Sequence, residues 1–265
     1  MRTHMLKKIS FIFFIVLLSS CSKDSINKIE SGRISISFVA KAGDSAIIKD
    51  SLLYKNKAGN MFMVNQLQYF ISRITMYQGG KDYPIDTIHY VDIDIPSTHL
   101  LELPQAFKVG IYDSVAFTFG LDSLANRSNR FLNPPERDMF WPDILGGGYH
   151  YMKLNIKWMD IETQTLKPVM NHLGIGQLYA SVSTDPSQIT GFIHNNFRIS
   201  LPLNELRISS GNRTNLQLEM NVLNWFCGAH IIDFRNFGPG IMQNQEAMKQ
   251  LCDNGATSVF SVVHE

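Results

Sequence analysis

The sequence predicts an all-β fold, a β-sandwich of mostly antiparallel strands with a short C-terminal helix. Three observations predict it. Segments alternating apolar and polar residues recur from residue 32 onward, turn clusters separate them, and helical spacing is credible only late in the chain.

The elements follow in order. In "GRISISFVAK" (32–41), Ile34, Ile36 and Phe38 share one face while Ser35 and Ser37 share the other. "MFMVNQLQYFISRITMYQ" (61–78) is rich in β-branched and aromatic residues, although its first half also carries helical spacing. "IHYVDIDI", "DSVAFTFGL", "YHYMKLNIKWMDI", "GQLYASVS", "NFRISLPL" and "TNLQLEMNV" follow as half-buried strands. "QGGKDYP", "NPPERD" and "SGNRTN" read as turns between them. The helix is expected at Gln243 to Asp253, where Met248 and Leu251 are three apart. Many short strands with turn-rich connections point to two packed sheets.

The first twenty residues are expected to lie outside this fold. "MLKKISFIFFIVLLSSC" has a basic start at Lys7 and Lys8, then an apolar run from Ile9 to Leu18 broken only by Ser10. Such a run is too short for a membrane helix, which needs about 20 residues, so the pattern is a secretory signal. Its ending, "LSSC", looks like a lipobox with Cys21 as the lipidated first residue of the mature protein. The alternative is an ordinary thiol behind a soluble-protein signal. Two or three acyl chains hold a protein firmly at a membrane. Residues 21–31 read as a polar tether and 32–265 as one domain, because no linker or low-complexity run divides them.

Composition excludes some functions. The chain is 45% apolar and 18% charged with a net charge of +1. That balance, with no basic stripe, argues against nucleic acid. No nucleophile elbow, phosphate loop, dinucleotide fingerprint or H-E-x-x-H pair occurs, so an enzyme is not expected. Gly146, Gly147 and Gly148 enter a strand rather than a helix, and read as a bend that lets Tyr149 join the sheet.

What remains suits a soft or borderline metal. The chain has eight histidines and twelve methionines. Imidazole suits copper and zinc and thioether suits copper(I), although most methionines serve as packing. By period-two alternation His150 heads an apolar face shared with Met152, Leu154, Ile156 and Trp158, the usual place of a hydrogen-bonded core histidine. His89 sits likewise with Val91 and Ile93. His172 opens "HLGIG", where Gly174 and Gly176 suggest a bulge or a close backbone approach. "CGAH" places Cys227 and His230 at a plausible ligand spacing. The simpler expectation is a Cys227–Cys252 disulfide in an oxidising compartment, worth about 3 kcal/mol.

Together these motifs resemble the MbnP-like copper-binding proteins, in a lipoprotein form. The matching pieces are residues 54–77, "IHYVDIDIPST" (88–98), "YDSVAFTFGLDSLANRS" (112–128), "NPPERDMFWPDILGGGYHYMKLNIKW" (133–158), "NHLGIGQ" (171–177) and "IMQNQEAM" (241–248). The resemblance implies a β-sandwich that binds copper outside the cytoplasm through histidines. It also implies a di-haem, cytochrome-peroxidase-like partner able to oxidise a tryptophan to kynurenine. Carried over by motif, the ligands are His172 of "HLG" and His89 of "HYVD", with His150 and His230 as further candidates. Trp141 is the motif tryptophan, with Met139 beside it. Two positions depart from the family pattern: Asp143 stands where a second tryptophan is common, and "FVAKAGD" (38–44) lacks the histidine common near the first strand.

The expected function is therefore copper storage, delivery or sensing by a lipid-anchored protein of the cell envelope, at the outer membrane. The histidines would meet at one end of the sandwich. The alternative is a metal-free module binding glycan or protein through exposed Phe140, Trp141 and Tyr149.

Overall fold

The structure is a computed structural model that describes residues 30–264. The expected signal, Cys21 and nearly all of the tether lie outside the described residues. Eleven strands of five residues or more run through those described: β1 (Ser31–Ala42), β2 (Met61–Gln78), β3 (Lys81–Asp92), β4 (Gly110–Phe119), β5 (Met152–Asp160), β6 (Thr165–Leu173), β7 (Ile175–Tyr179), β8 (Ile189–His194), β9 (Phe197–Ile208), β10 (Arg213–Asn221) and β11 (Phe260–His264). A helix, α1 (Gln245–Asn254), lies where helical spacing predicts one. Asn244 caps it by accepting from the Ala247 amide, which satisfies one of the free N–H groups at a helix start.

Two sheets face each other, as the alternation predicts. One has the order β11-β10-β1, with three short strands also pairing β1. The other runs β6-β5-β2-β4-β9, with β3 and a short strand on β2. All of these pairs are antiparallel except β1 with β10. Strands β7 and β8 form a separate hairpin. Ile36 and Phe38 from one sheet meet Ile71, Val115 and Phe117 from the other, leaving a gap of only about 10 Å³. A space that small barely admits one water, so the interior is packed by apolar contact.

Strand β2 decides where the site goes. Its first half pairs β5, and its second half pairs both β3 and β4. Pairing along its whole length overrides the helical spacing of its first half, because each pairing satisfies backbone groups and buries a face. The pairing register shifts between Ser72 and Ile74, and Arg73 there takes φ +51°. That bulge bends the strand. The outward-facing Phe70 is buried nonetheless, stacked on Phe131 at 5.3 Å and against Tyr149 at 6.3 Å. The long connection from β4 to β5 thus folds over the outer face of the second sheet as a cover. The residues of interest lie in that cover.

Candidate functional site

The cover is held by a small hairpin of its own. The Trp141 amide donates to the Gly148 carbonyl at 2.9 Å, and the His150 amide donates to the Met139 carbonyl at 2.6 Å. The three glycines between them all have positive φ, at 110°, 69° and 79°. A side chain at Gly148 would strike Asn126 within 2.6 Å. Glycine is therefore required for this reversal, which folds Met139–Trp141 back onto Gly148–His150. Asn126 accepts from the Tyr149 amide, and Ser128 accepts from the Gly148 amide.

Trp141 is fully buried, and its indole N–H donates to the Leu145 carbonyl at 3.2 Å. Its ring lies on β6–β7 where Gly174 has no side chain. A Cβ at Gly174 would sit 2.5 Å from the indole. The close backbone approach expected of "HLGIG" is thus made by tryptophan. Met139 and Tyr149 are buried as well. The exposed aromatic platform proposed as an alternative is overturned: Trp141 and Tyr149 are 0% and 1% exposed, and only Phe140 reaches solvent.

Against the indole stands His150, with ring centroids 4.7 Å apart and planes at 67°. On its other side is His172, centroid to centroid 4.9 Å at 85°. His150 lies two residues before β5 begins, so the strand's alternation does not reach it. It belongs to the cover rather than to the apolar face with Met152, Leu154, Ile156 and Trp158. Those four are buried as expected.

The hydrogen bonds fix the chemistry of the pair. His150 Nδ1 lies 3.0 Å from the Met139 carbonyl, which can only accept, so Nδ1 carries the proton. Its Nε2 therefore holds the lone pair, and that nitrogen is buried with no hydrogen-bond partner. His172 Nε2 lies 2.8 Å from Asn155 Oδ1, whose own amide nitrogen donates to Gln66 Oε1. The same logic protonates His172 Nε2 and leaves its lone pair on Nδ1. Burial, and then the charges of His172 and Lys153, push the His150 pKa down to about 3. Burial and Lys153 lower that of His172 to about 4. Both imidazoles are neutral at pH 7.

The other two candidate ligands do not join them. Across the second sheet His172 pairs Lys153, Lys153 pairs Gln68, and Gln68 pairs Asp92, so all four share its outer face. His89, three residues before Asp92 on the same strand, faces the interior side. There it stacks on Phe38 at 4.8 Å and its Nε2 is bonded to the Thr98 carbonyl at 2.8 Å. Phe38 begins the stretch in which the first-strand histidine is missing. His230 pairs with Asp253 at 2.9 Å beside α1. Of the four candidate histidines the structure brings His150 and His172 together, while sheet parity separates His89 and a carboxylate engages His230. Among the described residues no group of three or more His, Cys, Asp or Glu could hold a metal ion.

The expected disulfide is also corrected. Cys227 and Cys252 are free. Cys252 Sγ faces the Asn195 carbonyl at 3.4 Å, and Cys227 Sγ faces Asn224 Oδ1 at 3.8 Å. Each sulfur is directed into its own polar contact. Burial and then Asp253 push the Cys252 thiol up to about 12, the mark of an inert buried thiol.

Sequence reading missed the residues that support the pair. Asn126, Ser128, Asn155 and Gln177 are single amides and hydroxyls without a spacing signature. Gln177 donates to the same Leu145 carbonyl as Trp141 does.

Comparison with known proteins agrees with this architecture. A search of the curated proteins finds no match. Among solved structures, MbnP from Methylosinus trichosporium aligns over 89% of this chain and 99% of its own, with a TM-score of 0.53 and 15% identity. At that identity the likeness speaks for the fold alone. The MbnP family model matches residues 31–244, from the first residue of β1 to the cap of α1, and the chain accordingly belongs to the MbnP family.

Proposed function

We propose that this protein binds copper through His150 Nε2 and His172, for storage or delivery rather than turnover. One observation carries the reading: a buried imidazole nitrogen with a lone pair and no partner. Leaving such an acceptor unpaired costs about 1–3 kcal/mol, which a bound cation would recover. The donor set fits the metal. Imidazole is a good copper ligand in its neutral form, and both rings are neutral. Each also gives its other N–H to a fixed acceptor, the Met139 carbonyl or Asn155, as metal-bound histidines commonly do. Copper there would supply a soft Lewis acid. The chain's own part is to hold two imidazoles in fixed tautomers, with Trp141 excluding water from the side of His150.

Family membership supports the reading through the resemblance already described. Lipid attachment through Cys21 at the outer membrane belongs to the same proposal, as does a di-haem partner acting on Trp141.

The test is metal content by mass spectrometry of protein loaded with one equivalent of copper and desalted. His150→Ala and His172→Ala should each lose most of the bound copper, while His89→Ala and His230→Ala should retain it. Full retention in His150→Ala would reject the assignment. Intact mass on the same samples reads any oxidation of Trp141.

A further inference from the structure

We infer that a cleft between β1 and the end of β3 binds a small uncharged organic molecule, apolar but for one carbonyl acceptor, and that the Tyr69 hydroxyl donates to that acceptor. The two sheets meet closely at one point and part at the next, and Phe38 belongs to both places. On one side it faces Ile71, Val115 and Phe117 across a gap of about 10 Å³. On the other, with Ala40, Ile47, Tyr69 and Val91, it lines a cleft of about 290 Å³. Interiors are normally close-packed, so an opening of that size beside so tight a seam calls for a cause. The sequence supplies one. Ile34, Ile36 and Phe38 put large side chains on the inner face of β1, and the next residue on that face, Ala40, offers a single methyl. The cleft has the volume of a small ligand site, since such pockets begin at roughly 300 Å³. It is separate from the histidine pair. Tyr69 and its cross-strand partners Val91 and Met152 are buried on the inner side of the second sheet, whereas Gln68 and Lys153 lie on the outer one with His172.

The polar groups of the cleft name the ligand. Two of them are already engaged at its rim. The Lys49 ammonium donates to both oxygens of the Asp94 carboxylate at 2.6 Å, and His99 Nε2 gives its proton to the Asp92 carbonyl at 2.8 Å. Tyr69 is different. It is 1% exposed, the most deeply buried residue of the cleft wall, and its ring lies on Phe119 at 5.9 Å. Its hydroxyl makes no hydrogen bond among the described residues, and burial alone raises its pKa. The phenol is therefore a neutral O–H donor held in a mostly apolar wall, and an unmet buried donor is costly. A carbonyl oxygen on the ligand would satisfy it. A carboxylate would not suit the site, because Lys49 is neutralised by Asp94 and a buried anion would lack a counter-charge. The remaining walls, from Phe38, Ala40, Ile47, Val91 and Ile93, ask only for apolar contact.

The experiment is an NMR titration of full-length protein with acetophenone carrying carbon-13 at the carbonyl, and with α-methylstyrene, its shape match without the oxygen. Wild type, Tyr69→Phe and Ala40→Leu are compared, and benzoate is the charged control. Wild type should bind acetophenone and move its carbonyl resonance downfield, as a hydrogen bond to the oxygen does. Tyr69→Phe keeps the ring and loses the donor. It should shift the ratio of the two dissociation constants about tenfold in favour of the alkene and abolish the downfield move. A ratio unchanged within twofold would overturn the role of Tyr69. Ala40→Leu fills the cleft and should weaken both ligands at least tenfold, and undiminished binding there would put the ligands elsewhere and sink the inference. Should Ala40→Leu fail to fold, the Tyr69→Phe ratio and the wild-type carbonyl shift still decide. Wild type that ignores acetophenone up to its solubility limit, or takes benzoate as tightly, would equally reject it.

Discussion

His150 and His89 occupy similar surroundings on opposite sides of one sheet. Each sits within 5 Å of an aromatic ring, Trp141 for one and Phe38 for the other, and each is bonded to a main-chain carbonyl. Burial lowers the pKa of both. They differ in the second nitrogen. That of His150 is buried and unpartnered, and its ring lies beside a second imidazole, whereas His89 has the ring of Phe38 for a neighbour. What sets His150 apart from a packed histidine is an unmet hydrogen-bonding capacity. Neighbouring apolar residues are common to both.

The largest effect should come from the partner ring. Trp141→Ala removes a fully buried indole from the His150 corner and is expected to destabilise by about 3–5 kcal/mol. Phe140→Ala, next door but 43% exposed, should lose far less. Urea denaturation checks both, and equal losses would contradict the buried cover. Gly174→Ala sharpens the point by pushing a methyl into the indole at 2.5 Å, with an expected cost of about 1–3 kcal/mol. Gly191→Ala meets its nearest neighbour at 3.6 Å and should be close to neutral.

A smaller, pH-dependent effect should separate the two histidines. In the unfolded chain His150 protonates below about pH 6.5, but in the fold not until about 3. Between those values the unfolded state binds the extra proton. Stability is therefore greatest above the window and declines as pH falls through it, by at most about 1.4 kcal/mol per unit for this residue. Denaturation of metal-free protein at pH 6.5 and 4.5 should show wild type losing about 1–2 kcal/mol more than His150→Gln. Equal losses would mean that His150 is charged in the fold. The smallest effect concerns the thiols. Because Cys227 and Cys252 are free, a reductant should leave the melting temperature unchanged, whereas breaking a disulfide would lower it by several degrees.

How far the sequence reveals this can be traced residue by residue. Alternation in β1 and β5 placed Ile34, Ile36, Leu154 and Ile156 inside, because a strand with one covered face must alternate. Strand β6 escaped notice since "TLKPVMNHL" contains Pro168. It lies at the sheet edge, where a missing N–H is tolerated. His150 was read onto the wrong face because period two applies only within a strand, and this one starts at Met152. His150 and His172 were grouped only through the resemblance, since no periodicity in the sequence brings the two together. Their meeting depends on a cover hairpin whose partners, Asn126 and Ser128, carry no pattern. Cysteine counting failed for a related reason, since an even number says nothing of where two sulfurs point.

The parallel pairing of β1 with β10 carries a kinetic corollary. Ser35 meets Asn215 and Lys41 meets Asn221, so the opening strand waits for a mate made some 180 positions later. Until a ribosome has delivered Arg213–Asn221, one long flank of β1 stays bare, and closing so distant a contact is slow. Nascent chains cut short before residue 213 should accordingly be captured by chaperones or clump, while full-length ones zip their outermost ends together last.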